Sequence, residues 1–444
     1  MKRIYRFRGL LAGFVAVFIV LGLTSITFSA KSVSVPPETY EGLKIFSDVL
    51  SLVQRDYTEE KDSKELIYNA IKGMISRLDP HSSFLDPNEY KEMKIDTRGV
   101  FGGVGIQIGI KHKILTVIAP IEDTPAWKAG IKSNDKIVKI EKKSTRDMTL
   151  DEAVSLMRGP KGKDVTIYIM REGFEKPRAF TIKRDIIKIK SVKFKKKEDN
   201  IGYIRIAQFQ KNTSSDLRKA LVKIKPKKGD LRGLILDLRN NPGGLLQEAV
   251  AVSNFFLKSG LIVYTKGRGG EQNMVFKADA KGTQPDYPII VLVNGGSASA
   301  SEIVSGALQD HKRAVILGET TFGKGSVQTI VPLSDGSALR LTTAKYYTPS
   351  GRSIQAKGIE PDIVVGASGN RHHLKEKDLS GHLAAEGSKK KKKGNAVKKI
   401  HIVEKEAPEV KGEDIQLERA LEYLKSWYIF KGLKGTSLDY KRAG

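Results

Sequence analysis

Pro288-Ile-Ile-Val-Leu-Val-Asn-Gly-Gly-Ser-Ala-Ser-Ala-Ser-Glu-Ile303 is a short apolar run that stops at a Gly-Gly turn and restarts with small residues in a helical pattern. An apolar run bounded by turn residues reads as a buried strand, and a strand feeding a helix is half of a crossover unit. The same alternation surrounds it. Strands are expected over 201–206, 233–238, 288–293 and 314–318, with helices over 244–257 and 300–309. Strands alternating with helices predict an α/β core over 186–366, with a mostly parallel sheet covered on both faces.

Upstream, residues 97–185 have a different character. Gly99, Gly102, Gly103, Gly105 and Gly109 interleave with Val104, Ile106 and Ile108. That is a glycine-rich turn feeding an alternating strand. Further strands over 114–118, 136–140 and 165–170 make the region β-rich. A helix over 149–157 opens on a capping box, Thr149 with Glu152.

Residues 31–96 read as a helical N-terminal arm. Leu43, Phe46, Val49, Leu50 and Val53 form one stripe; Leu66, Ile67, Ala70, Ile71 and Met74 form a second, ended by Asp79-Pro80. Two amphipathic helices without a large core of their own suggest packing or dimerisation. Residues 367–412 contain a lysine run at 389–393 and read as a linker, and 413–444 hold a last helix over 415–427.

The first 30 residues stand apart. Lys2, Arg3, Arg6 and Arg8 precede an apolar run over 9–23 and a mixed small and apolar run over 24–30. This is the pattern of an export signal or a membrane anchor. Residues 9–30 can span a bilayer, for which about 20 suffice. Phe28, at −3 to a cut after Ala30, is too large for the small-residue rule, so a retained anchor is favoured over a cleaved signal. The positive-inside rule then puts the rest of the chain outside the cytoplasm.

Composition narrows the chemistry. With 40% hydrophobic and 29% charged residues, the chain of 444 is neither mostly disordered nor a polytopic membrane protein. It has no cysteine, which excludes disulfides, thiolate metal sites and a cysteine nucleophile. Its 7 histidines include no HExxH pair, so neither metal nor cofactor is expected. The net charge of +27 suits a polyanionic partner or reflects a general basic bias. No basic stretch is interleaved with aromatics, so nucleic acid is not an expected partner.

Three segments carry candidate chemistry. Ser297, Ser299 and Ser301 lie where a strand turns into a helix, whose amides favour developing negative charge. Each serine equally reads as a cap or a tight packing residue. Gly318-Glu-Thr-Thr-Phe-Gly-Lys-Gly-Ser-Val-Gln328 nearly matches a phosphate-binding loop. Gly325 stands where the magnesium-binding hydroxyl belongs, and strands over 327–331 and 338–343 follow instead of a helix. A lysine in a glycine turn on a sheet can be buried, and burial lowers its pKa, making it a competent base for a serine. His311 reads as a surface residue at a helix end, so a Ser–Lys dyad uses what is present. Gln328, four residues beyond Lys324, shares its face on a regular strand and would orient the amine, or else is a solvated strand residue. In Asp237-Leu-Arg-Asn-Asn-Pro-Gly-Gly244 the glycines expose amides at the carboxyl end of a strand. The amide of Gly244 could join that of Ala300 as an oxyanion hole, or the segment is a plain turn.

Together, the segments 237–244, 295–303 and 321–328 resemble the carboxyl-terminal processing peptidases, or tail-specific proteases. Phe101–Ile108, Thr124-Pro-Ala-Trp-Lys-Ala-Gly-Ile131 and Arg158-Gly-Pro-Lys-Gly162 resemble their inserted PDZ domain, and Leu78-Asp-Pro-His-Ser-Ser-Phe-Leu85 the segment before it. Trp127 departs from the pattern, and the lysine-rich tail is outside it. The resemblance runs from about 40 to about 382. It implies a PDZ domain inserted before an α/β protease core, and a serine endopeptidase with nucleophile Ser299, base Lys324, orienting Gln328 and oxyanion amides at Gly244 and Ala300. Gly103, Val104, Gly105 and Ile106 would hold the carboxylate of an unstructured protein C-terminus; Arg158, before the Gly159-Pro160 turn, is a candidate for coupling the domain to the active site, or else an ordinary surface arginine. The implied setting is a bacterial cell envelope, on the periplasmic or extracytoplasmic side, with a possible homodimer. The alternative is a non-catalytic PDZ scaffold that only binds C-termini.

Overall fold

The computed structural model describes residues 36–227, 230–366, 374–385, 402–403 and 414–435. The expected signal or anchor and the lysine run lie outside them. Two compact units are present, Met1–Ala70 and Ile71–Gly444. In the first, the helix Pro37–Asp56 buries none of its residues, and its apolar stripe (Leu43, Phe46, Val49) is exposed. No helix among the described residues is long and apolar enough to cross a membrane.

The α/β core is built on one sheet. Its strands lie in the order Val192–Lys196, Ile201–Ile206, Gly233–Asp237, Ile289–Val293, Val315–Gly318, Ile363–Val364 and Ile402–Val403. The first pair is antiparallel and the rest are parallel. The central strands are buried from end to end because both faces are covered. Leu234, Leu236, Val291 and Val293 face the helices Thr213–Ile224, Leu246–Asn254 and Ala300–Asp310. Ile235, Ile290 and Leu292 face the other way, against Ala420 and Leu424 of the helix Ile415–Gly435. Each such side chain contributes about 1.5–3 kcal/mol by leaving water.

The helical region expected over 31–96 is present in the helices Pro37–Asp56, Ser63–Ser76 and Pro87–Arg98, with one short strand between the last two. The helix Ser63–Ser76 ends before Asp79, residues 79–82 form a turn, and Ser83–Leu85 is a strand. A strand this short has no readable period; it exists because Ala338–Tyr347 pairs with it. The helix expected over 244–257 is Leu246–Asn254, because Gly243 and Gly244 take φ values of +101° and +139° that no helix contains. The parallel sheet is also not alone. Ala338–Tyr347, Ser326–Pro332, Leu261–Gly267, Val275–Lys277 and Ser83–Leu85 form a second sheet that is entirely antiparallel.

The β-rich region is a separate antiparallel sheet. Its order is Ile106–Lys111, Ile114–Pro120, Lys136–Ile140, Asp164–Met170 and Arg178–Lys183. Its own core includes Val117, Ile137, Ile140, Ala153, Val165, Ile167 and Ile169. The expected capping box is present: Thr149 Oγ1 accepts from Glu152 N at 3.2 Å, and Glu152 Oε2 accepts from Thr149 N at 2.8 Å. The chain enters and leaves this region through a two-stranded ribbon, Val100–Gly103 against Asp185–Lys188.

Candidate active site

Two loops meet at the carboxyl ends of the neighbouring strands Gly233–Asp237 and Ile289–Val293. Asn294 Oδ1 accepts from Asn240 N at 2.9 Å and Gly296 N at 3.1 Å. Asn241 Nδ2 donates to Ile206 O at 2.8 Å. Ser297 Oγ donates to Leu238 O at 2.8 Å, and Ser301 Oγ donates to Asn241 O at 3.0 Å. Both hydroxyls are therefore committed to backbone, which separates them from Ser299.

Ser299 sits at the start of the helix Ala300–Asp310 with φ 54° and ψ −113°. A non-glycine residue held there stores about 1–3 kcal/mol of strain and survives only where its surroundings fix it. The fixing contact is Glu302, which accepts from Ser299 N at 2.7 Å. The phenol of buried Tyr346 is pushed up to about 12 by burial, with the Ser299 hydroxyl acting in the opposite sense.

Glu302 is fully buried and joins the two halves of the site. Its Oε2 accepts from both Ser299 N at 2.7 Å and Lys324 N at 3.0 Å. Its Oε1 accepts from Thr321 Oγ1 at 2.5 Å and Gly323 N at 2.7 Å. Burial pushes this carboxyl up to about 7, with the four donors pulling against it. A Glu302→Gln change should leave some of these donors without an acceptor, at about 1–3 kcal/mol each. The expected result is a lower urea midpoint together with a kcat reduced at least about tenfold, as the two loops lose their common anchor. An unchanged midpoint and kcat would contradict this role.

Lys324 is largely buried. Burial is the main cause lowering its pKa, and the Arg340 guanidinium adds to it; Glu376, Asp79 and Glu302 act in the opposite sense. The amides of Gly323 and Lys324 are spent on Glu302, and a strand follows, so this is not a phosphate cradle. The alternation that would connect Lys324 to Gln328 is interrupted. The strand begins only at Ser326, and its register shifts between Val327 and Gln328. Gln328 Nε2 donates to Ser326 Oγ at 3.0 Å and Thr342 Oγ1 at 3.3 Å. His311 binds Leu261 O at 2.7 Å at the far end of its helix.

Gly243 packs directly on the serine. A Cβ at Gly243 would stand 2.7 Å from Ser299 Cβ and 3.0 Å from Ala300 N. Gly243 N donates to Asn241 Oδ1 at 2.9 Å, whereas the amides of Gly244 and Ala300 have no acceptor among the described residues. The loop is anchored from behind by an ionic network. Arg239 donates to Asp237 Oδ1 at 3.0 Å and Oδ2 at 2.8 Å, and to Asp414 Oδ2 at 2.8 Å. Tyr203 OH donates to Asp237 Oδ2 at 2.7 Å.

In the β-rich domain, Gly103 ends the entry ribbon and Ile106 opens the edge strand. Between them, Val104 O accepts from Ala126 N and Gly105 O from Ile121 N, both at 2.9 Å. The edge strand Ile106–Lys111 pairs only with Ile114–Pro120 among the described residues. Arg158 forms an ion pair with Glu92 of the helix Pro87–Arg98, and its guanidinium lies 4.7 Å from the Phe101 ring centroid. Sequence reasoning missed Glu302, Tyr346 and the Arg239–Asp414 bond. Only Glu302 had a local signal, the Ser-x-x-Glu capping-box spacing from Ser299.

The family profile described as Peptidase family S41 matches residues 200–365, and one described as PDZ domain matches residues 116–171. The chain is 46% identical over 424 residues to a protein of Bartonella bacilliformis named "Carboxy-terminal-processing protease", with 92% of this chain and 95% of that one covered. It is 41% identical over 310 residues to a Synechocystis "Carboxyl-terminal-processing protease", covering 68% and 72% of the two chains. The solved "Photosystem II D1 C-terminal processing protease" is 31% identical, with 73% of this chain and 92% of that one covered and a TM-score of 0.43. With 46% identity to the Bartonella protein over nearly its whole length, the chain belongs to peptidase family S41, the carboxy-terminal-processing serine proteases, and carries a PDZ domain ahead of its peptidase core.

Proposed function

We propose that this protein cleaves extracytoplasmic proteins near their C-termini with Ser299 as nucleophile and Lys324 as general base. The observation that carries this is the shared Glu302 oxygen, which accepts from the backbone N–H of both residues. Neutral Lys324 takes the hydroxyl proton as Ser299 Oγ attacks the scissile carbonyl. The same ammonium then gives that proton to the leaving amine, and water hydrolyses the acyl-enzyme by the reverse use of the lysine. The unengaged amides of Gly244 and Ala300 support an oxyanion role. Gln328 acts at one remove, by holding the strand after the lysine through Ser326 and Thr342. Membership of a peptidase family removes the non-catalytic scaffold as a reading of the whole chain.

The PDZ domain supplies the substrate tail. The open edge of Ile106–Lys111 supports pairing with an extended peptide, and the turn 103–106 supports capture of its carboxylate. Capping a substrate carboxylate as an amide should therefore weaken cleavage, since charge-assisted hydrogen bonds are about twice as strong as neutral ones. Arg158 couples this domain to the helix Pro87–Arg98 through Glu92. Arg158→Ala should slow cleavage of long substrates while peptide binding by the full chain persists. Equal cleavage of free and amidated tails, with a silent Arg158→Ala, would leave the domain a passive spacer.

The basic and apolar N-terminal stretch supports export or anchoring, with the protease outside the cytoplasm. A reporter fused after residue 40 that works only inside the cell would overturn that location. The exposed stripe of Pro37–Asp56 supports its use as a homodimer arm. Deleting 37–56 should then lower the mass seen in light scattering.

A further inference from the structure

The turn 79–82 is remote from Lys324 in sequence, yet two hydrogen-bond chains run from it into the lysine loop and the strand that follows. In the first, the buried carboxylate of Asp79 accepts from Thr342 Oγ1 at 3.1 Å, and Thr342 Oγ1 accepts from Gln328 Nε2 at 3.3 Å. Ser82 Oγ braces this chain, donating to Asp79 Oδ2 at 2.7 Å and accepting from Thr342 N at 3.0 Å. In the second, His81 Nε2 meets Glu376 Oε2 at 2.7 Å. Glu376 Oε1 accepts from Gln355 Nε2 at 2.8 Å, and Gln355 Oε1 accepts from Gly325 N at 3.0 Å. Glu376 N also donates to Phe322 O at 3.1 Å, so the lysine loop is gripped before and after Lys324.

Asp79 and Glu376 are both buried carboxylates. Replacing such groups by apolar ones is often neutral or stabilising, so their presence calls for a role other than stability. We propose that Asp79 and Glu376 are positioning residues for Lys324, fixing where its amine sits and which charges it faces. This rests on the reading of Lys324 as the base.

The charges that act on the amine come from four elements: Arg340 from the strand Ala338–Tyr347, Glu302 from the helix Ala300–Asp310, Asp79 from the turn and Glu376 from the short helix Glu376–Asp378. His81 Nε2 lies 2.7 Å from Glu376 Oε2, and Tyr346 is a neutral phenol near Ser299. The neutral amine is the active form, so kcat/KM rises with pH through the lysine pKa. A facing carboxylate raises that pKa and a facing guanidinium lowers it.

The test is the acid limb of kcat/KM for casein cleavage by the full chain, in Asp79→Asn, Glu376→Gln and Arg340→Gln. The first two should move the limb to lower pH and the third to higher pH, each by about one unit. Opposite movements of this kind do not follow from a purely structural role. Limbs that stay in place, or all move the same way, overturn the proposal whatever happens to kcat. Should Asp79→Asn fail to fold by circular dichroism, Glu376→Gln and Arg340→Gln decide it. Lys324→Arg runs alongside: if it stays active the dyad itself is wrong, and if it is dead while the limbs stand still only the positioning role fails.

Discussion

Casein cleavage by Ser299→Ala is expected to fall at least about 10⁴-fold, and Lys324→Arg to the same floor. The two changes remove different things. Alanine removes the only one of the three hydroxyls at this turn that is not spent on a backbone carbonyl, since Ser297 and Ser301 bind Leu238 O and Asn241 O. Arginine keeps the positive charge and much of the bulk but stays protonated in proteins, so it has no neutral form to accept the serine proton. Burial already lowers the Lys324 amine from its ordinary value, and that is what makes lysine workable near neutral pH. Peptide binding through the PDZ domain should survive in both variants. Substantial turnover by Lys324→Arg would mean that another group takes the proton.

Arg239→Met should lower the unfolding free energy by about 3–5 kcal/mol, the usual result of leaving one partner of a buried ion pair behind. Asp237 is fully buried at the end of a central strand, and the Arg239 fork supplies two of its hydrogen bonds. The same guanidinium reaches Asp414, at the start of the helix Ile415–Gly435 that covers the rear face of the sheet. One arginine thus ties that helix to the loop that carries Gly243 and Gly244. Asp414→Asn, at a half-exposed site, should cost far less, because water can replace the lost contact. Urea titration measures both changes. A loss under about 1 kcal/mol in Arg239→Met would mean that Asp237 finds other partners. The kcat of Arg239→Met should fall as well, since Asn240 and Asn241 lead from Arg239 into the serine turn through Asn294 and Ala298.

The sequence by itself determined the elements with strong local periods and narrowed the candidate residues for the proposed chemistry. The apolar runs became the fully buried strands Gly233–Asp237 and Ile289–Val293 because a strand covered on both faces must be apolar throughout. Thr149 with Glu152 marked its helix start because a cap is a contact within four residues. Ser299, Lys324 and the glycines before Leu245 were legible as reactive or permissive residue types at turns. What only the tertiary structure decided depends on partners far away in the chain. Ser83–Leu85 is a strand because Ala338–Tyr347 lies beside it, and three residues have no period to read. That Ser297 and Ser301 are spent on carbonyl oxygens at Leu238 and Asn241, and Ser299 is not, is something no spacing rule can locate. The role of Glu302, and the reach of Asp79 and Glu376 into the lysine loop and the strand that follows, likewise rest on hydrogen bonds between segments that meet only once the sheets are formed. A hydrogen bond is fixed by distance and angle at a few tenths of an ångström, and sequence separation carries no information at that scale.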